Sequence, residues 1–252
     1  MLRLSQGHLN LLAECPPRFA RTYLWQTGSL PDPEIENSQT WGKQFHLLMQ
    51  QRELGLPIDS LLAENSELDR SIEALISAAP ELFTPHLPHC YREAEYTLTL
   101  SHGNYLLTTI YDLLVATDNK AQIIDWKTYA LPQKKEKLAT NWQTRLYLYV
   151  LAETSEYEPE QISMTYWFVK PPQKPQSLTF SYSKEQHQET KEALQTLLDK
   201  LDLWLHRDCD RFPHRSDCEA NCRYFQQMTI DSDNTPLDST LISLEEIEEI
   251  PI

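Results

Sequence analysis

Residues 105–128, YLLTTIYDLLVATDNKAQIIDWKT, constrain this 252-residue chain more than any other stretch. Two runs rich in Thr, Tyr, Leu, Val and Ile flank Thr117-Asp118-Asn119-Lys120, a tetrad that favours a tight turn. With Asp118 and Asn119 at the centre of the turn, Thr117 pairs with Lys120, and continuing that register puts Asp112 opposite Asp125. Lys127 lies two residues beyond Asp125 and so shares its face. The hairpin is thus expected to place two carboxylates and an ammonium side by side. Like charges across a strand pair are destabilising unless something offsets them, and carboxylate oxygens suit Mg²⁺ or Mn²⁺. Leu106, Ile110, Ile123 and Ile124 argue for central strands. An edge hairpin with solvated Asp and Lys is the reading that spacing alone leaves open.

Around the hairpin the chain reads as a helical preface followed by strands and helices. Ser5 caps a helix to about Ala13, Pro16 and Pro17 stop it, and a second short helix runs from Arg18 to about Trp25. Residues 26–40 read as a loop. Trp41, Phe45, Leu48 and Met49 have helical spacing, with weaker helices at 58–64 and 67–79 that Pro85 and Pro88 close. Strands are expected at 95–100, 105–115, 122–127, 162–169 and 177–182, with helices at 138–153 and 184–206. Ser183 with Gln186 makes a capping-box pattern before the last helix. This order implies a mixed α/β fold. The division expected is a domain over 1–228 (helical part about 1–90, α/β core about 91–206, cysteine-containing end 207–228) and a tail over 229–252.

Charge and hydropathy narrow the class. The formal net charge of −15 argues against gripping polyanions by bulk charge alone. Residues 230–252 carry seven acidic side chains and no Lys or Arg, and read as a solubilising tail or a protein-partner segment. The dense basic run is 132–139, with Lys134, Lys135 and Lys137; together with Arg145 it is a candidate nucleic-acid contact, or simply a solvated loop. No apolar run is long enough to span a membrane, and the polar N-terminus does not read as a secretory signal, so a cytoplasmic protein is expected.

The residues just described, with others in the same order, resemble the PD-(D/E)XK phosphodiesterase superfamily, in particular its RecB-like branch, which includes CRISPR-associated RecB-like exonucleases. The resemblance runs from about residue 3 to 225. It rests on Ser5, Cys15-Pro16-Pro17-Arg18-Phe19, Gly42-x-x-x-His46, Asp112, Asp125-Trp126-Lys127-Thr128 and Gln143-x-x-x-Tyr147. It implies a restriction-endonuclease-like mixed sheet flanked by helices, with the N-terminal helical region over the active site. The implied activity is metal-dependent hydrolysis of DNA phosphodiesters, at ends or in single strands. Asp112, Asp125, His46 and the main-chain carbonyl of Trp126 would hold Mg²⁺ or Mn²⁺. Lys127 would orient or deprotonate the attacking water, and Gln143 and Tyr147 would sit at the site edge. Glu95 is the glutamate expected nearby; Glu93, two residues earlier, points to the same side in a regular strand. A non-catalytic binding module that keeps the fold is the alternative.

Ile110 stands where many relatives have glycine, which alters local packing without removing a ligand. The branch also includes proteins with a [4Fe–4S] cluster on one early and three late cysteines. Cys15 matches the early position, but Cys209, Cys218 and Cys222 have the spacing C-x8-C-x3-C, short of a final cysteine. A buried structural Cys15, with the late cysteines as a remnant or a partial zinc site, is the other reading. Cys90 stands apart.

Overall fold

The structure, a computed structural model, describes residues 1–26, 33–83, 90–129, 135–170, 174–206 and 212–218; the side chains of 33–39, Ser60 and Glu64 are outside that description. The expectations for Pro85, Pro88, Lys134, Cys209, Cys222 and the acidic tail therefore lie outside the described residues.

The chain opens with a short strand, β1 (Leu2–Leu4), which the sequence reading did not anticipate. Three residues carry no readable alternation; they become a strand by pairing in parallel with Leu107 and its two predecessors. Next come α1 (Gln6–Glu14) and α2 (Pro16–Phe19), which runs on into a π-helical turn (Ala20–Leu24). The two prolines start α2 rather than merely ending α1, because neither needs an N–H in the first turn of a helix. α3 (Pro33–Glu53) corrects the loop expected over 26–40 from Pro33 onward. Its polar first half continues a helix whose Trp41–Met49 half is anchored in the core, and propagation of a formed helix is cheap. α4 (Asp59–Glu64) and α5 (Ser66–Ala78) complete this layer.

Then follow β2 (Tyr91–His102), β3 (Tyr105–Thr117) and β4 (Lys120–Lys127). The helix expected over 138–153 is two, α6 (Lys135–Thr140) and α7 (Trp142–Thr154), because Asn141 breaks it and caps the second by accepting from the Gln143 N–H. β5 (Ile162–Phe168), β6 (Gln176–Ser181) and α8 (Lys184–His206) end the fold. The Gln186 N–H donates to Ser183 Oγ at 3.3 Å at the start of α8.

The six strands form one mixed sheet in the order β1-β3-β4-β5-β6, with β2 on the other edge of β3. α1, α7 and α8 cover one face through Leu9, Leu12, Leu146, Val150, Leu194 and Leu198. α3 and α5 cover the other, where Phe45, Leu48, Ile72 and Leu75 pack on Leu113, Ile124, Trp126 and Trp167. β4 and β5 are buried on both faces, as strands with a helical layer on each side must be.

β3 shapes the site. One edge carries β1 at Tyr105–Leu107 and β4 at Leu113–Thr117, leaving an unpaired interval between them. The residues facing α7 change parity within it: Tyr105, Leu107 and Tyr111 do so first, Leu114 and Ala116 afterwards. β2 shifts at the same point. Ala94 pairs with Leu113 and Tyr96 with Tyr111, while Glu95 between them adopts φ +53°. Left-handed backbone is uncommon for a residue with a side chain.

Candidate active site

The phase shift decides where the acidic residues go. The β3–β4 ladder follows the register read from the turn, from Thr117↔Lys120 to Leu113↔Ile124. It stops one pair short of Asp112 and Asp125. In place of that pair, the Trp126 N–H donates to Asp112 Oδ2 at 2.6 Å. The expected row of two carboxylates and an ammonium is thus divided into two adjoining groups.

In the first group Asp112 meets α3. His46 Nδ1 lies 3.2 Å from Asp112 Oδ1, and one ligand atom from each of His46, Glu95 and Asp112 lies within 4.8 Å of the other two. Gly42, one turn before His46, is buried, so this part of α3 sits close on its neighbours. Burial pushes the Glu95 carboxyl up, the Asp112 charge adds to that, and His46 opposes it. Glu93, by contrast, is exposed, pairs with Leu114 and accepts from the Tyr91 hydroxyl. The left-handed turn at Glu95 thus removes the shared side that regular alternation assigns to the two glutamates.

The second group sits on β4 and α7. The Lys127 ammonium is 2.8 Å from Asp125 Oδ1 and donates to Gln143 Oε1 at 2.7 Å; Gln143 Nε2 donates to Asp125 Oδ2 at 2.7 Å. The amide orientation follows from charge, because reversing it would set an N–H₂ against the ammonium and an oxygen against the carboxylate. Burial pushes the Asp125 carboxyl up, against the pull of Lys127 and with the nearby Asp112 charge adding to it. Lys127 also lies 5.2 Å from the Tyr166 ring centroid.

Tyr147 is almost wholly buried, its ring 5.1 Å from Tyr111, and burial holds its hydroxyl well above the usual range with Asp125 and Asp112 adding to the effect. The Trp126 ring is buried in the α3 layer. Because a strand residue's N–H and C=O face the same edge, its carbonyl faces the edge on which Asp112 lies.

The predicted basic contacts run elsewhere. Lys135 donates to the Thr179 carbonyl and lies over the Phe180 ring; the Arg145 guanidinium stacks on Trp142 and donates to the Glu189 carbonyl. Lys137 is exposed on α6. Cys15 is buried between α1 and α2, near Cys218 and far in sequence from it.

Three features escaped the sequence reading. Asn10 on α1 donates to Asn141 Oδ1 and accepts from the Trp142 N–H, fixing the start of α7 and hence Gln143. Asn141 itself was legible as an N-cap; Asn10 gave no signal. Arg52 and Arg92 line a recess beside Asp112 with Glu53, Phe83 and Trp126. Arg92 makes two hydrogen bonds to Glu53, at 2.7 and 2.9 Å, and Arg52 lies over Phe83.

The donor set suits a hard or borderline divalent cation: two carboxylates raise their own repulsion in a half-buried site, and an imidazole completes the group. No helix among the described residues is long and apolar enough to cross a membrane.

Residues 3–226 match the model of the PD-(D/E)XK nuclease superfamily. The fold is similar to the crystal structure of a "putative exonuclease" from Eubacterium rectale, with a TM-score of 0.52 at 12% identity over 95% of this chain and 91% of that one. The crystal structure of SSO0001 gives a TM-score of 0.39 at 13% identity, over 89% of this chain and 84% of that one. No curated protein matches the chain.

Proposed function

The chain belongs to the PD-(D/E)XK nuclease superfamily, and from that premise we propose that it is a deoxyribonuclease, dependent on Mg²⁺ or Mn²⁺, that acts on DNA ends or single strands in repair, recombination or defence. The observation that carries this reading is the pair of groups on neighbouring strands, His46, Glu95 and Asp112 on one side and Asp125, Lys127 and Gln143 on the other, joined through the Trp126 N–H bond to Asp112.

Nucleases of this superfamily use divalent metal ions, and here His46, Glu95 and Asp112 would hold one, with the Trp126 carbonyl on the same edge. Bound there, the ion would supply positive charge to the scissile phosphate and make water a better nucleophile. The protein's own residues do the rest. Lys127, paired with Asp125 and aimed by Gln143, orients the attacking water and stabilises charge growing on the phosphate. Asp125 holds that ammonium in place and adds its field to the site. Tyr147, kept protonated by burial, can donate but not act as a base. Arg52, beside the recess next to Asp112, is suited to a backbone phosphate of the substrate.

The test is cleavage of end-labelled single- and double-stranded DNA, and of RNA of the same sequence, with Mg²⁺, Mn²⁺ or chelator. Cleavage of DNA that needs the metal and falls by about 10²–10³ in Lys127→Ala is the expected result. Cleavage at an unaltered rate in that variant would mean another site. RNA cleaved in preference to DNA would retain the chemistry and overturn the substrate. No cleavage by folded, metal-loaded protein would favour a binding module.

A further inference from the structure

Away from the sheet, a second set of ligand atoms converges. Cys15, His214 and Cys218 each place one ligand atom within 4.8 Å of the other two. Nearly two hundred residues of chain separate the first from the others, so their meeting depends on tertiary packing. Three contacts bring it about. Phe212 packs on Phe19, Trp25 and Trp204. The Arg215 guanidinium donates to the Ala13 and Glu14 carbonyls at the end of α1, at 3.3 and 3.5 Å. The Cys218 N–H donates to the Arg215 carbonyl. Segment 212–218 is thereby laid over the junction of α1 and α2.

We infer that Cys15, His214 and Cys218 form a structural zinc site that fastens the C-terminal part of the fold to its N-terminal helices. Zn–S and Zn–N bonds of about 2.3 and 2.1 Å at the tetrahedral angle set a thiolate and an imidazole nitrogen about 3.6 Å apart. His214 Nδ1 and Cys218 Sγ are 3.4 Å apart. Among the described residues the set is two sulfurs and one nitrogen, a zinc donor set, whereas a [4Fe–4S] cluster takes four thiolates. The three donors fill all but one tetrahedral position.

Other roles for the trio fit less well. Cys15 and Cys218 are 0% and 1% exposed, so neither sulfur is open to a substrate, as a nucleophilic cysteine must be. No disulfide joins them. His214 is exposed, which suits a ligand supplied from the surface by segment 212–218. The site stands whether or not the chain is a nuclease.

The test is elemental analysis of the full-length protein for zinc, iron and inorganic sulfide. It is made in an Asp112→Asn background so that a cation at the sheet does not count. About one zinc per chain is expected, retained in Cys90→Ser, lost in Cys15→Ser and Cys218→Ser, and held at least tenfold more weakly by His214→Ala. Because the two buried cysteine variants can fail to fold, a second measurement uses Co²⁺ exchanged into the otherwise unaltered protein. Tetrahedral d–d bands with thiolate charge-transfer absorption are expected, with His214→Ala changing the d–d envelope. Folded protein without zinc overturns the proposal. So does iron with stoichiometric sulfide, a Cys15–Cys218 disulfide found by mass spectrometry, or unchanged affinity in His214→Ala.

Discussion

The Lys127 ammonium and the Asp125 carboxylate face each other at 2.8 Å with side chains only 7% and 4% exposed, and each also holds one end of the Gln143 amide. Removing one member of such a pair leaves a buried charge without its partner. Lys127→Ala is therefore expected to lose two things at once. Cleavage should fall by about 10²–10³ for the loss of one donor to the transition state, and stability by about 3–5 kcal/mol for the abandoned carboxylate. The double variant Asp125→Asn/Lys127→Met should recover most of the stability and none of the cleavage. Denaturant unfolding beside initial cleavage rates separates the two; recovery of both would remove Lys127 from the chemistry.

Glu95→Gln keeps the shape of the side chain and removes its charge. Mn²⁺ affinity measured by calorimetry should weaken by about tenfold or more, because ligand charge sets affinity at such sites. The same change at Glu93, which lies outside the group, should leave affinity unaltered. Equal effects at both would mean that the pull is general field rather than coordination.

Much of this arrangement was legible. The turn tetrad gave the β3–β4 register, and a resemblance spread along the chain pointed to Asp112, Asp125, Lys127 and His46; His46 lies beside Asp112 and Lys127 beside Asp125. What alternation could not supply was the break in alternation. Nothing in the residues at 95 or 112 announces a left-handed glutamate, since the break falls where one edge of β3 passes from β1 to β4, partners distant in sequence from Glu95. β1 was missed because it takes its structure from a partner distant in sequence, and the first half of α3 because it extends a helix anchored further along the chain. The basic run was legible as charge, yet Lys135 and Arg145 are turned to β6, Trp142 and α8, because their long aliphatic stems find apolar cover there.

Asn10→Ala removes two hydrogen bonds at the start of α7 without touching the acidic group. A lost capping contact costs about 1 kcal/mol, and a small displacement of Gln143 should lower kcat by up to about 10²-fold. Mn²⁺ affinity should stay unchanged. A kcat equal to that of the unaltered protein would show that Gln143 tolerates the displacement.

His8 gives a pH dependence of stability. Its Nδ1 accepts from the Ser5 N–H at 3.1 Å, and burial lowers its pKa below the ordinary 6.5. The unfolded chain therefore binds the proton first. The His8 contribution is fully present above pH 6.5 and is lost progressively as the pH falls below it. His8→Gln keeps a capping acceptor at the same helix position. It should flatten that part of the stability–pH curve between pH 7.5 and 5.5 in chemical denaturation; an unchanged slope would assign the dependence to other groups.

One apolar cluster unites Leu4, Leu9, Leu12 and Phe19 with Leu194, Leu198, Leu201 and Phe212. A ribosome adds about 5–20 residues per second, so roughly ten to forty seconds separate the emergence of the two halves of this cluster. β1 meanwhile waits for Tyr105–Leu107 before it has any neighbour. During that interval the nascent chain carries greasy N-terminal helices with no lid. The growing polypeptide is thus a natural client for a holding chaperone, and a messenger that stalls translation before α8 would yield an aggregating fragment rather than a smaller enzyme.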